Sequence, residues 1–451
     1  MLARPSSTPF WFAITLALAL SARGDDTANW PQFRGPNSDG VAEDGRLPIQ
    51  WDATKNVRWH VDTTGRGWSS PVVWGDRIFL TTVVREGESE EPKKGLYFGG
   101  DRPEPPKGEQ QWRVQCLDLN SGKLLWDYLA HEAAPSTSIH LKNSFASETP
   151  IVDDKRVYAP FGNLGIFCLS HDGRLLWHKS ISPKKMKLGW GTAASPVLHD
   201  GVLYLVNDNE EASYLIAIDA ATGDEKWRVD RDEKSNWATP FVWVNNQRTE
   251  IITSGKVVRS YDLSGKELWR LGDNSSIVIP TPFATDGLLY VTSGYVLDPR
   301  TPVYAIQPGA SGDITLPEGE TSSSAIKWCQ PHAGPYNTSP LVYQGRMYVL
   351  LDRGFLTCYD AETGEEIYGR QRLPEGRAFT ASPWAHNGHV YCLNEYGTTF
   401  VIKSGDQFEL VQTNSLDKDA MCMATPALAG NNLLIRTETG LYSLQDNSKT
   451  N

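Results

Sequence analysis

The sequence predicts an all-β chain, an eight-bladed β-propeller of four-stranded antiparallel blades whose ring is closed by an N-terminal strand. Three observations predict it. One phrase recurs eight times, Ser or Thr, then Pro, then a short apolar run, a tight polar turn and an apolar strand; its prolines are Pro71, Pro150, Pro196, Pro240, Pro282, Pro340, Pro383 and Pro426, spaced by 79, 46, 44, 42, 58, 43 and 43 residues. A strand-rich repeat of about 40–50 residues is the mark of a propeller blade. Five copies also carry a second half, a strand, a turn glycine (Gly122, Gly173, Gly223, Gly265, Gly364) and, four residues on, an aromatic (Trp126, Trp177, Trp227, Trp269, Tyr368). Finally, the last repeat lacks a fourth strand, while an orphan strand carrying Trp59, residues 57–61, precedes the first.

In chain order, residues 1–24 read as a secretory signal, with Arg4 in the charged region, an apolar stretch over 10–20 and small residues at Ala19, Ala22 and Gly24 for cleavage. No other segment is long and apolar enough to cross a membrane. Residues 25–47 form an N-terminal extension, 48–446 the propeller and 447–451 a tail. The orphan strand 57–61 is expected to be the outer strand of the last blade, which removes an open sheet edge. Within each blade the glycine supplies the positive φ of a tight turn, and the flanking segments alternate apolar and polar as strands do. Trp59, Trp126, Trp177, Trp227, Trp269, Trp328 and Tyr368 occupy equivalent outer positions, where a large ring fills the wedge between blades. Residues 86–111, rich in Glu, Pro, Lys and Gly, interrupt blade one, and their position suits a cap over the channel. A second expansion, 309–324, lies in blade five.

The charge is −11, falling to −13 once Arg4 and Arg23 leave with the signal. That disfavours nucleic-acid binding, which needs basic surface, and suits a soluble periplasmic or secreted monomer. Cys116, Cys168 and Cys358 share one blade position with Ala217 and Ser260, so they read as buried packing. Cys329, Cys392 and Cys422 complete the set; an oxidising compartment permits a disulfide, but the spacing pairs none of them. No C-x-x-C or H-x-x-x-H spacing marks a metal site.

Antiparallel order places the long, individual loops on one face and the tight turns on the other, so a site is expected around the channel on the long-loop face. The candidates there are His140, Lys142 and Asn143 before blade two; Trp190 before blade three; Asn207, Asp208 and Glu210 within it; Arg231, Glu233 and Trp237 before blade four; Tyr336 and Asn337 before blade six; and Arg353 and Glu395 on inner loops of blades six and seven. Arg353, Arg231 and Lys142 suit a carboxylate or phosphate, and Trp190 and Trp237 a planar or sugar ring. The 207–211 acidic run lacks the full spacing of a calcium loop.

The segment Ala217-Ile218-Asp219 through Thr222-Gly223 to Trp227 resembles the pyrroloquinoline-quinone (PQQ)-type propeller repeat. The resemblance covers nearly all of 48–446 and is similar both to quinoprotein alcohol dehydrogenases and to outer-membrane-assembly lipoproteins of the BamB type. It implies the fold rather than an activity. The dehydrogenases imply an adjacent cysteine pair against the quinone, acidic and amide calcium ligands and an aspartate base; this chain has no Cys-Cys dipeptide and no C-x-x-C-H. The lipoproteins imply a cysteine near the cleavage zone, and none is present there. The expectation is therefore a non-catalytic exported scaffold without a cofactor, binding a protein or an envelope polymer. Two alternatives stand beside it. One is a PQQ- and calcium-dependent dehydrogenase; the other is a carbohydrate-active hydrolase or lyase using Asp232, Glu233 or Glu395.

Overall fold

A computed structural model describes residues 29–86, 90–417 and 421–447. The expected signal, 1–24, lies outside the described residues. Eight antiparallel sheets follow one another along the chain, and the first strands of neighbouring blades touch round a central axis. Blade three is representative, with strands Val197–His199, Val202–Asn207, Ser213–Asp219 and Glu225–Arg231 ordered from the axis outward. In blade eight, strands Ala427–Ala429, Asn432–Arg436 and Gly440–Leu444 take Val57–Asp62 as their outer member, antiparallel to Gly440–Leu444. Among the described residues no helix is long and apolar enough to cross a membrane.

The Ser/Thr-Pro phrase has a structural cause that its recurrence alone does not reveal. In six of the eight blades the hydroxyl accepts the backbone N–H of the equivalent residue one blade earlier. Ser70 N donates to Thr149 Oγ1 (3.0 Å), Thr149 N to Ser195 Oγ (2.9 Å) and Ser195 N to Thr239 Oγ1 (3.1 Å). Thr281 N donates to Ser339 Oγ (2.9 Å), Ser339 N to Ser382 Oγ (2.9 Å) and Ser382 N to Thr425 Oγ1 (3.0 Å). These groups are buried beside the axis, where an unpaired N–H costs about 1–3 kcal/mol. The following proline has no N–H to satisfy.

The outer aromatics join the blades in the same direction. Trp126 donates its indole N–H to His171 O in the next blade (2.8 Å), Trp177 to Ala220 O (3.2 Å), Trp227 to Leu263 O (3.0 Å) and Trp328 to Ala361 O (3.0 Å). Trp59, on blade eight, closes the series on Leu119 O of blade one (3.0 Å). Each ring lies on the turn glycine of that next blade. A Cβ on Gly223 would stand 2.7 Å from Trp177, and one on Gly364 would stand 2.5 Å from Trp328. Glycine is required there for its φ (+80° at Gly223) and also for the room it leaves to a neighbour's tryptophan. The small-residue slot has its reason too: a bulge sets Cys116, Cys168, Ala217 and Ser260 opposite Trp126, Trp177, Trp227 and Trp269. All six cysteines are free and buried, and burial pushes the Cys116 thiol up to about 12.

Blade five departs from the pattern. Its last turn is replaced by the 309–324 expansion, so Trp269 has no glycine to rest on. Its N–H turns instead to the buried carboxylate of Glu250 (2.7 Å), which also accepts from Ser260 Oγ and pairs with Arg248. The expansion returns as Gly312–Asp313, adding a parallel strand beside Glu267–Leu271. In blade one, strands Arg77–Arg85 and Gln110–Asp118 stay paired as far as Arg85 opposite Gln110, so the insertion proper is 86–109 and not 86–111.

Candidate functional site

The axis holds a cavity of about 660 Å³ on the long-loop face. Its size falls within the range of small-molecule sites. The eight hydroxyl residues of the ring (Ser70, Thr149, Ser195, Thr239, Thr281, Ser339, Ser382, Thr425) form its floor, and the wall carries an aromatic cluster.

Residues 29–47 of the extension close the opposite, tight-turn end. Trp30 pairs with Val73 of blade one, Pro31 O accepts from Val152 N of blade two (2.9 Å), and Val41–Ala42 lies parallel to Ala385–His386 of blade seven. Arg34 is fully buried in this plug. It donates to Pro340 O (2.7 Å) and sits over the Phe283 ring, and burial lowers its guanidinium to about 10. Phe33 reaches the cavity from this side. The aromatic content of 30–33 was the available signal, and it was read only as part of an extension.

The insertion of blade one covers the other end, with Leu96, Tyr97, Phe98 and Gly99 on the cavity wall. A latch holds it. Lys142 Nζ donates to Gly95 O (2.5 Å) and to Glu395 Oε1 (2.7 Å); Gly95 N donates to Glu395 Oε2 (2.9 Å); Thr380 Oγ1 also donates to Glu395 (2.7 Å). Glu395 is completely buried. Lys142 sits over the Tyr97 ring at 5.0 Å, and Trp190 Nε1 donates to Gly100 O (2.9 Å). Arg102 pairs with Glu90, and Arg66 with Glu91.

The structure brings eight of the sequence candidates to the cavity wall, namely His140, Lys142, Asn143, Trp190, Trp237, Tyr336, Asn337 and Arg353. Burial, then Lys142 and Arg102, lowers the His140 imidazole to about 4, so it is neutral; its Nδ1 accepts the Lys142 backbone N–H (3.1 Å). Asn143 donates to Trp190 O and Thr192 O, fixing the two incoming loops. Trp190 and Trp237 stand 6.2 Å apart at 42°, and both indole N–H groups are taken by backbone carbonyls, Trp237 by Gly191 O (2.7 Å). Their rings therefore face the cavity as apolar surface. Arg353 has no side-chain partner among the described residues.

The other candidates are structural. Arg231, proposed for an anion, already holds one: Asp208, at 2.8 and 3.0 Å, with Thr253 and Tyr261 on Nη1. Burial opposes its charge, but Asp208 outweighs it and the pKa is raised. Asn207 accepts from Asn209, which shapes the 209–213 turn, and Glu210 accepts from Ser235 Oγ (2.7 Å). Glu233 pairs with Arg259 at 2.6 Å and accepts Val257 N and Lys256 N. Glu395 lies in the latch rather than on the cavity wall. Asp352, which precedes Arg353 and was not among the candidates, does line the cavity. Burial raises its carboxyl to about 6 although it accepts Asn337 N (2.9 Å) and Tyr336 N (3.3 Å).

Asp352 and Glu395 are the carboxylates nearest the cavity, and every oxygen they present is engaged by protein N–H, O–H or ammonium groups. Among the described residues no group of three or more His, Cys, Asp or Glu is placed to hold a metal ion.

A family model described as "Outer membrane protein assembly factor BamB" matches residues 40–252, 168–315 and 253–438. Among solved structures, BamB from Moraxella catarrhalis superposes with a TM-score of 0.55 at 10% identity, covering 82% of this chain and 98% of that one. The computationally designed Ika8 protein superposes at 0.51 and 12% identity, covering 79% of this chain and 100% of that one. A europium-containing methanol dehydrogenase gives 0.48 at 12% identity over 84% and 90% of the two chains. At these identities the likeness is one of fold. No curated protein matches the sequence.

Proposed function

The chain belongs to the family described as outer membrane protein assembly factor BamB, and from that membership we propose that it is an exported, non-catalytic propeller that binds a protein or an envelope ligand at the long-loop mouth of its channel. One observation carries the reading: among the described residues, the carboxylates and the imidazole at the cavity already serve bonds within the protein. Glu395 holds the cap, Asp352 holds the backbone of Tyr336 and Asn337, His140 is neutral and bonded to its own loop, and the thiol of Cys422, which is not on the wall, is buried and pushed up to about 12. A general base needs a free lone pair within reach of its proton. A thiol nucleophile needs a lowered pKa. The net charge of −11 agrees with a partner other than nucleic acid.

The test is titration of the purified mature protein with PQQ, with and without calcium, by calorimetry, followed by a dye-linked screen of alcohols and sugars. The expected result is neither calcium-dependent binding nor dye reduction. Tight calcium-dependent binding with turnover would overturn the reading in favour of a quinoprotein dehydrogenase. Fractionation of the producing cell tests the export half; protein retained in the cytoplasm with residues 1–24 intact would refute it.

A further inference from the structure

The cavity has a chemistry of its own, and it selects one kind of small molecule. Its wall carries an aromatic cluster of Trp190, Trp237, Tyr295 and Tyr336, with Phe98 against it; Trp190 meets Phe98 at 5.5 Å, and Tyr295 meets Tyr336 at 5.4 Å. Its mouth is rimmed by exposed apolar side chains, Leu96 and Phe98 from the cap and Val296 and Leu297 from blade five, with Leu297 75% exposed. Apolar surface gathered at a cavity mouth marks a contact site.

The charges on the wall are unequal. Lys142 is neutralised by Glu395, His140 is uncharged, and the Asp352 carboxylate already accepts two backbone N–H bonds. Arg353 lines the same cavity and, among the described residues, makes no side-chain ion pair or hydrogen bond. A guanidinium is permanently charged and presents a planar fork of donors matched to a carboxylate. The floor adds polar donors. A Ser or Thr hydroxyl has one proton to give and two lone pairs. In the ring six of these hydroxyls accept backbone N–H bonds, and none of the eight donates to a partner among the described residues. Their protons are left for a guest's oxygen atoms or for water.

We propose that the channel cavity binds an organic monoanion with an apolar, ring-bearing body, its carboxylate paired with Arg353 and its body against Trp190, Trp237 and Tyr336. This rests on the cavity being a binding site rather than a catalytic one. It goes further by naming the ligand class.

The experiment uses three probes of one shape: 1-naphthylacetate, its neutral amide 1-naphthylacetamide, and the cation 1-naphthylmethylammonium. Each is titrated by calorimetry into wild type, Arg353→Gln and Ala193→Phe, the last placing a ring in the cavity. Wild type is expected to bind the acetate about tenfold more tightly than the amide and to reject the cation. Arg353→Gln should lose that tenfold and keep the amide's affinity. Ala193→Phe should lose both. Equal binding of the three probes, binding of none, or a preference that survives Arg353→Gln overturns the proposal. Chromatography of the recovered acetate separates the two readings: unchanged probe leaves the non-catalytic reading standing whichever way affinity falls, whereas conversion refutes that reading itself.

Discussion

The latch at Glu395 gives the sharpest prediction about how the cavity opens. Glu395→Gln keeps the shape of the side chain and removes its charge. The carboxylate is completely buried and Lys142 is 14% exposed, so the variant leaves an ammonium with no counter-charge, facing only neutral groups: Gly95 O, the Tyr97 ring and the new amide. Removing one partner of a buried pair costs about 3–5 kcal/mol, and the partial exposure of Lys142 favours the lower end, about 3 kcal/mol. The cost falls on the closed cap, because Lys142 regains water when residues 90–102 lift away. At about 1.4 kcal/mol per tenfold, the open population rises about a hundredfold. Cleavage from a transiently open state follows that population when closing outpaces cutting. Tryptic cutting after Lys93 or Lys94 should therefore accelerate by about two orders of magnitude, while cutting in blade three, for example after Arg228, stays at the wild-type rate. The double variant Lys142→Met with Glu395→Gln removes both charges and should return most of the protection. A Glu395→Gln protein whose cap is cut no faster than wild type would refute the latch. Uniform acceleration at all sites would show instead that Glu395 supports the whole fold.

Three further outcomes follow from the framework. Gly223→Ala should destabilise by about 2–5 kcal/mol, combining about 1–2 kcal/mol of left-handed strain with about 1–3 kcal/mol of overpacking against Trp177; Gly201→Ala, also at positive φ but with nothing within 4 Å, should show the strain alone. Equal denaturant midpoints for the two would remove the tryptophan from the account. Thr149→Val should cost about 1–3 kcal/mol by orphaning Ser70 N–H, whereas Thr149→Ser should be nearly neutral; matched losses in both would mean that the hydroxyl is not what matters. Asp352 has a folded pKa of about 6 against 3.8, so its burial favours the protonated form. Its stability contribution is full below about pH 3.8 and is lost as pH rises through about 6. The stability of Asp352→Asn relative to wild type, from urea midpoints, should therefore rise by up to about 3 kcal/mol between pH 4 and pH 7. A difference independent of pH would mean that Asp352 titrates normally.

The fold was legible because each blade repeats its own instructions. Turn glycines, alternating strands and closing aromatics are local signals, and eight copies make them hard to misread. What stayed hidden was what the copies do to one another. Ser/Thr before Pro was visible as a marker, but its hydroxyl serves the backbone of another blade, and the pairing of Thr149 with Ser70 spans 79 residues. The tryptophans were assigned to the wedge between blades, yet only the three-dimensional ring shows that Trp177 rests on Gly223 rather than on its own turn, Gly173, which carries Trp126. The site divides along the same line. Residues next to a marker proline or opening an inner loop, such as Asn337 and Arg353, reached the cavity because the blade geometry forces that position. Asp208 and Arg231 lie equally near strand ends, but these opposite charges, at the ends of the second and fourth strands of blade three, found each other and were buried as a pair.

That difference bears on how the chain acquired a binding surface. The propeller core needs only hydroxyls, prolines, glycines and tryptophans, and these are the same in most blades. The features that individualise the channel are additions to it: an N-terminal segment that seats Arg34 and Phe33 at one end, and a blade-one insertion that lays Tyr97 and Phe98 over the other. The plug is anchored by backbone pairing and by the burial of Trp30 and Leu47 in the core, the cap chiefly by charged and backbone contacts. Lifting the cap should therefore cost the ring less than displacing the plug, which is tied to blades one, two, six and seven. A lifted cap would open the cavity on the long-loop face, past Leu96, Phe98, Val296 and Leu297.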